Sequence, residues 1–446
     1  GEVNRAFSSA GDTSIVKHPL HGTFPVTTAP AITSDNQVTQ PEKLLKNGYG
    51  YPDLLVTQTA KYGKEFKPLE QPELIENMVS ELIAHFSLGL AGEDLGISTM
   101  DEIINGDPTN EASHPLDMRT SPGVPWTDTQ GLNAAKKLSF MKEKPINSRG
   151  ESTGYVLDED KPVVKRLLEV MDETEKLAAK GVRTVSVLKD CLKDECRPIE
   201  KVESPRAFKA FPIDKLFLIR KYFLKFKTHY TTQRENFFHA VGVNVQSTQW
   251  AKLRNHLARV SDCGHDADFS RYDGNLRADF LDASNRIIIG TIRAVQAENG
   301  TPVTLEQETI MEILLEEIVR SISLSKTTVY MDTHGNPSGS PMTTVTNCIV
   351  NLMYHWYCYS RITGNTSLAR FSSDVAFIAF GDDVAQTYKP GAYNFESVAR
   401  IMNDELGHVY TTASKSTEGT LLRINELTFL KRRWVRDGGS PNIILA

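Results

Sequence analysis

The strongest constraint on this chain of 446 residues lies in its last quarter. There an unbroken apolar run, Val375-Ala376-Phe377-Ile378-Ala379-Phe380, meets Gly381-Asp382-Asp383 and then Val384-Ala385-Gln386-Thr387. The run predicts a strand. A Gly-Asp pair leading into a second strand is a hairpin signal, because glycine reaches positive backbone angles at little cost. By itself such a hairpin would be an ordinary exposed turn. The first strand is too apolar for a surface edge, however, so the two aspartates are expected in a partly buried cluster. Buried carboxylates are costly unless a cation compensates them.

Two further segments have the same character. His265-Asp266-Ala267-Asp268-Phe269 alternates polar and apolar residues, as at the end of a half-buried strand, and Asp273 follows five residues after Asp268. A capped strand end with Asp273 in a turn would account for it equally. Gly335-Asn336-Pro337-Ser338-Gly339-Ser340-Pro341 is a tight loop that opens a helix, with Pro341 suited to the first turn. On that helix Thr343, Asn347 and Asn351 recur every four residues and share one stripe, while Val345, Ile349, Leu352 and Trp356 form a core face. Solvent exposure is the ordinary explanation of a polar stripe, but few residues around this one are charged.

Composition excludes little: 40% hydrophobic and 24% charged residues are usual for a globular protein. No apolar run approaches the roughly 18–20 residues of a membrane span. The start, Gly1-Glu2-Val3-Asn4-Arg5, lacks the layout of a secretory signal, and a first residue other than Met suggests proteolytic release or trimming. Five scattered cysteines leave one unpaired in any disulfide scheme and lack the paired spacings of a zinc site, so reduced thiols are expected. A net charge of −6 looks wrong for a nucleic-acid protein, yet residues 182–230 carry twelve Lys and Arg against six Asp and Glu. A channel needs only local basicity, although a solvated charged face has the same composition.

Residues 1 to about 70 read as extended segments and loops. Helices are expected from about Pro72, where Leu74, Met78, Leu82 and Phe86 recur every four residues, over 163–179, 278–295 and 306–322, and a strand over 184–188. Thr120-Ser121-Pro122-Gly123-Val124-Pro125-Trp126 must turn tightly. With no internal repeat and no low-complexity linker, one interleaved body is expected.

Taken in order, Asp268-x4-Asp273, Ser338-Gly339-x3-Thr343-x3-Asn347 and Phe380-Gly381-Asp382-Asp383 resemble motifs A, B and C of picornavirus-like RNA-dependent RNA polymerases. Lys193-Asp194-Glu195-x-Arg197-Pro198-x-Glu200-Lys201-Val202, with Arg206 shortly after, looks like the basic motif F. The Thr120–Gly123 turn is similar to motif G, Lys415 stands where motif D carries its lysine, and Phe429-Leu430-Lys431-Arg432 looks like motif E. Phe380 replaces the Tyr of many relatives, and the loop between Lys201 and Arg206 is shorter than in enterovirus-like ones.

The resemblance implies an α+β right-hand polymerase whose palm is an antiparallel sheet flanked by helices. Its parts are expected as fingers with the N-terminal fingertip region (1–223), palm with motif A (224–303), a fingers insertion (304–335), palm with motifs B to E (336–434), and the start of a truncated thumb (435–446). It implies RNA-directed synthesis of RNA with two Mg2+ ions, or Mn2+ in their place. Asp268 and Asp382 are then metal ligands with Asp383 auxiliary, and Lys415 protonates the departing pyrophosphate. Asp273, Ser338, Gly339, Thr343 and Asn347 select the ribose. Lys193, Arg197, Lys201 and Arg206 meet the triphosphate, Thr120, Ser121, Pro122 and Gly123 guide template, and Lys431 and Arg432 grip the primer. Implied partners are template and product RNA, ribonucleoside triphosphates and a genome-linked protein primer, in the host cytoplasm at membrane-associated replication sites. A solvated loop lysine is the plain alternative for Lys415. For the whole chain the alternatives are another palm-type nucleotidyl transferase, such as a cyclase or reverse transcriptase, or a non-catalytic RNA-binding scaffold.

Overall fold

The apolar run at 375–380 does form a strand, and its surroundings explain its composition. In the computed structural model of the protein, which describes residues 14–17, 64–127, 134–145, 153–193, 206–325, 328–391, 393–416, 418–436 and 443–445, Val375–Phe380 lies at one end of a five-stranded antiparallel sheet. The strand order is Val375–Phe380, Asp383–Tyr388, Cys263–Phe269, Tyr410–Thr411, and Leu422–Arg423 pairs with the other end of Cys263–Phe269. The outer strand is not left open: Ala240 N donates to Ala379 O at 2.9 Å and Ala379 N to Phe238 O at 3.0 Å, which covers the edge. Both faces are covered too. On one, Ala376, Ile378 and Ala385 join Trp250, Leu253, Leu257, Phe429 and Trp434 in a buried cluster. On the other, Phe377 meets His355 of the helix Thr343–Thr363, ring centroids 4.8 Å apart. A strand enclosed on every side must be apolar throughout.

The chain divides into two compact units, each built from separate stretches: Gly1–Lys64, Gly96–Lys225 and Val303–Pro341 in the first, Glu65–Leu95, Phe226–Pro302 and Met342–Ala446 in the second. The sheet just described belongs to the second. So does the helix Glu73–Gly89; it packs along Ala278–Glu298, where Gly290 leaves room for Ile83 and Arg286 makes two 2.7 Å bonds to Glu76.

The first unit holds a four-stranded sheet in the order Ala207–Ala210, Val187–Leu192, Ile322–Ser325, Thr328–Met331, parallel only between the two middle strands. Two expectations change here. The strand expected over 184–188 is two strands, Val182–Val185 and Val187–Leu192, and the helix expected to reach 322 ends at Val319. Beyond it Ile322-Ser323-Leu324-Ser325 alternates with period two, and that pattern places Ile322 and Leu324 in a small core with Val185 and Val187. The helix Pro162–Ala178 is as expected.

Among the described residues Cys191, Cys263, Cys348 and Cys358 form no disulfide, and no helix is long and apolar enough to cross a membrane. Cys196, most of the N-terminal 70 residues and most of the expected thumb segment lie outside the described residues.

Candidate active site

Sheet register sets the acidic cluster. Val384 pairs with Ala267 and Ala385 with Asp266, so the next residue out, Asp383, stands beside Asp268 on neighbouring strands, which run roughly 4.8 Å apart. Asp382 occupies the turn. Burial pushes its carboxyl up to about 6, with Asp273, Asp383 and Asp268 adding to the rise. Asp383 is also raised, by burial and by Asp268, while Lys431 and Lys415 pull the other way. Asp382 and Asp383 are thus raised in part by carboxylates more than 100 residues away in the chain, so Asp268, Asp273, Asp382 and Asp383 form one cluster, and the cluster is short of positive charge.

Each member is fixed by local structure. Gly381 takes φ +65°, its N–H donates to Cys348 Sγ at 3.3 Å, and its carbonyl accepts from Asn351 Nδ2 at 2.7 Å. The Gly-Asp-Asp turn is thereby fastened to the helix Thr343–Thr363. Arg271, at φ +54°, turns the chain sharply after the strand and brings Asp273 into the short helix Tyr272–Asn275. Asn347 Nδ2 donates to Asp273 Oδ1 at 3.3 Å, and Tyr272 Oη donates to Asn347 O at 2.9 Å. The polar stripe is not solvent-facing: Asn347 and Asn351 are buried, and Thr343 is half-buried one turn earlier.

Two lysines border the carboxylates. Lys415 Nζ is hydrogen-bonded to Asp268 Oδ2. Lys431 sits in a two-residue turn in which Leu430 (φ +52°) and Lys431 (φ +58°) are both left-handed, closed by Phe429 and Arg432 bonding each other's backbone at 2.9 Å. Arg432 folds back onto Leu430 O at 2.9 Å.

Asp266 is the residue that sequence reasoning passed over. It shares a strand face with Asp268, two positions away, and is buried. Its Oδ1 accepts from Ala413 N at 3.1 Å and its Oδ2 from Thr428 N at 2.8 Å. One carboxylate therefore ties down the loops that carry Lys415 and Lys431. The even spacing from Asp268 was the available signal.

The remaining candidates belong to the first unit. Lys193 N donates to Arg206 O at 2.8 Å, which extends the pairing of Val187–Leu192 with Ala207–Ala210; Arg197 and Lys201 lie outside the described residues. Ser338 Oγ is buried with no hydrogen-bond partner among the described residues. The Thr120–Gly123 turn is clamped by Lys137, whose N–H donates to Thr120 O at 3.0 Å and whose ammonium bonds Thr120 Oγ1 and Ser121 O.

With this geometry, comparison with known proteins is direct. The chain belongs to the viral RNA-dependent RNA polymerase family, whose model matches residues 37–443. It is similar to the replicase polyprotein of Acute bee paralysis virus (28% identity, 83% of this chain, 19% of that one) and to that of Cricket paralysis virus (32% identity, 76% of this chain, 19% of that one). It thus spans about a fifth of the length of these curated relatives. In fold it resembles the Sicinivirus 3Dpol RNA-dependent RNA polymerase, with a TM-score of 0.66 at 21% identity, over 97% of this chain and 80% of that one. The fold is the α+β right-hand polymerase class.

Polymerases of this family use divalent metal ions. Among the described residues no three acidic, histidine or cysteine side chains already converge as a metal cage. The donor set nevertheless fits a hard cation: oxygen ligands only, with Asp382 and Asp383 raised by burial and by neighbouring carboxylates, and with Lys415 paired to Asp268.

Proposed function

We propose that this chain is an RNA-directed RNA polymerase that replicates a viral positive-strand genome by joining ribonucleotides to an RNA or protein-linked primer. The observation that carries the reading is the carboxylate cluster formed by Asp268 and Asp383 on neighbouring strands of the palm-type sheet, Asp382 in the turn and Asp273 in the short helix that follows Asp268. A pair of Mg2+ ions, or Mn2+ in their place, bound by Asp268 and Asp382 with Asp383 auxiliary, would supply the charge that stabilises the attacking and leaving oxygens of in-line phosphoryl transfer.

The chain's own groups do the rest. Asp273 and Asn347 already bond each other, and with Ser338, whose hydroxyl has no partner among the described residues, they recognise the ribose 2′-hydroxyl; Gly339 and Thr343 support them. A deoxyribose would leave these polar groups unpaired, which is how a site rejects an analogue lacking a hydroxyl. Lys193, Arg197, Lys201 and Arg206 hold the triphosphate. Lys415, paired with Asp268 in this state, is released to protonate the departing pyrophosphate. Template runs over Thr120–Gly123 and the primer end rests on Lys431 and Arg432. A genome-linked protein as primer, and membrane-associated sites in the host cytoplasm, complete the proposal.

Incorporation on a primed RNA template, run in parallel with ribo- and deoxyribonucleotides, tests it. Ribonucleotides should be incorporated and deoxyribonucleotides not, with Asp382→Asn inactive. Incorporation that survives Asp382→Asn would remove the mechanism, and equal use of both sugars would remove the assignment of Asp273, Ser338 and Asn347.

A further inference from the structure

Lys209 plays no part in the chemistry above, yet it is buried with its charge. It lies in Ala207–Ala210, three residues after Arg206, and its ammonium is enclosed by the sheet of the first unit. Nζ is 3.0 Å from Asp332 Oδ2 and 3.4 Å from Asp190 Oδ1, and it donates to Ser323 Oγ at 2.6 Å and Tyr330 Oη at 2.9 Å. Tyr330 in turn donates to Asp190 Oδ2 at 2.6 Å, and Ser321 Oγ to Asp332 Oδ2 at 2.5 Å. The cluster draws on all four strand segments of the sheet. Burying a lysine and two aspartates is expensive even when they pair, and well-packed apolar residues would hold strands together as well or better. The arrangement points to a demand for fixed geometry.

The backbone of the same segment shows where that geometry is used. A Cβ on Gly339 would stand 1.8 Å from Lys209 O, and one on Gly123 2.6 Å from Phe211 O. Ile213 N donates to Pro122 O at 2.8 Å, and the strand itself continues back into Arg206, whose carbonyl accepts from Lys193 N at 2.8 Å. The Ser338-Gly339 loop, the Thr120–Gly123 turn and Arg206 therefore all bear on residues 206–213, with no room for a side chain at either glycine.

We infer that Lys209 is a positioning residue: through its ion cluster with Asp190, Asp332 and Tyr330 it sets the depth of Ala207–Ala210, and so holds Arg206, Ser338 and the Thr120–Gly123 turn in their places for nucleotide and template. The roles of those three rest on the polymerase reading; the cluster and its contacts do not.

The test compares Lys209→Met and Tyr330→Phe with the wild-type chain in steady-state single-nucleotide incorporation, together with thermal melts. Tyr330→Phe keeps every charge and removes one hydroxyl, so it serves even if Lys209→Met does not fold. A displaced binding group raises KM, because small misplacements of positioning groups cost up to about 100-fold. The expected result is a KM for ribonucleotide raised about tenfold in folded Lys209→Met and less in Tyr330→Phe, with weaker discrimination against deoxyribonucleotides in both. A residue that served stability alone would lower the melting temperature and leave KM and sugar preference unchanged in the folded fraction; that outcome, in Lys209→Met or, should it not fold, in Tyr330→Phe, overturns the inference. A wild-type chain that incorporates nothing would remove the polymerase reading itself and this inference with it, and is told apart because it appears before any variant is made.

Discussion

At the scale of single residues, Asp266 shows how much one carboxylate can organise. Its two oxygens hold the backbone of Ala413 and Thr428, and each of those leads within a few residues to a lysine that bears on Asp383. Asp266→Ala strands two half-buried N–H groups, each costing up to about 1–3 kcal/mol. The expected outcome is a lower melting temperature together with a kcat reduced roughly tenfold, a fraction of the 10²–10⁴ that a positioned acid or base contributes, while KM for ribonucleotide changes little. Pre-steady-state incorporation by the folded variant checks this; a wild-type kcat there would show that the two lysines need no such anchor. That Asp266 and Asp268 share a face was legible from their spacing. That Asp266 bonds residues 147 and 162 positions further along was not, since a backbone donor leaves no mark in the sequence.

At the scale of elements, what the sequence told well were patterns closed within a segment. The hairpin around Gly381-Asp382-Asp383 and the helices Glu73–Gly89 and Ala278–Glu298 follow from their own periodicities. Errors arose where two patterns met: Ile322 fits the helix before it and the strand it joins, and the sheet decided. The stripe Thr343, Asn347, Asn351 could equally have faced water. Asn347 and Asn351 are buried because Asp273 and the Gly381 carbonyl, both distant in sequence, supply their partners. Asn351→Leu should therefore leave the Gly381 carbonyl unpaired and lower stability by about 1–3 kcal/mol, measured as the shift in denaturant midpoint. An unchanged midpoint would mean that the turn is not fastened to this helix.

At the scale of the whole molecule, buried imidazoles set the response to acid. Burial lowers His239 and His265 to about 3, and His256 and His355 to about 4, from an ordinary 6.5. A group whose folded pKa is depressed binds its proton more readily when unfolded, so stability is full above pH 6.5 and is lost as pH falls toward 4 and then 3. Asp382, Asp383 and Asp190, all raised by burial, work in the opposite direction, three carboxyls against four imidazoles. Melting temperature measured from pH 7.5 to 4.5 at fixed ionic strength should hold above about pH 6.5 and fall below it; a flat or rising profile would contradict the four lowered imidazoles.

The central claim is that Asp268 and Asp382 act as one unit in ribonucleotide joining. Its most direct measurement is single-turnover incorporation by Asp268→Asn, Asp382→Asn and the double variant, each shown to be folded. Residues that act together are grossly non-additive, so each single substitution should abolish incorporation nearly as fully as the double. Near-wild-type rates in either single variant, or losses that multiply in the double, would contradict the account.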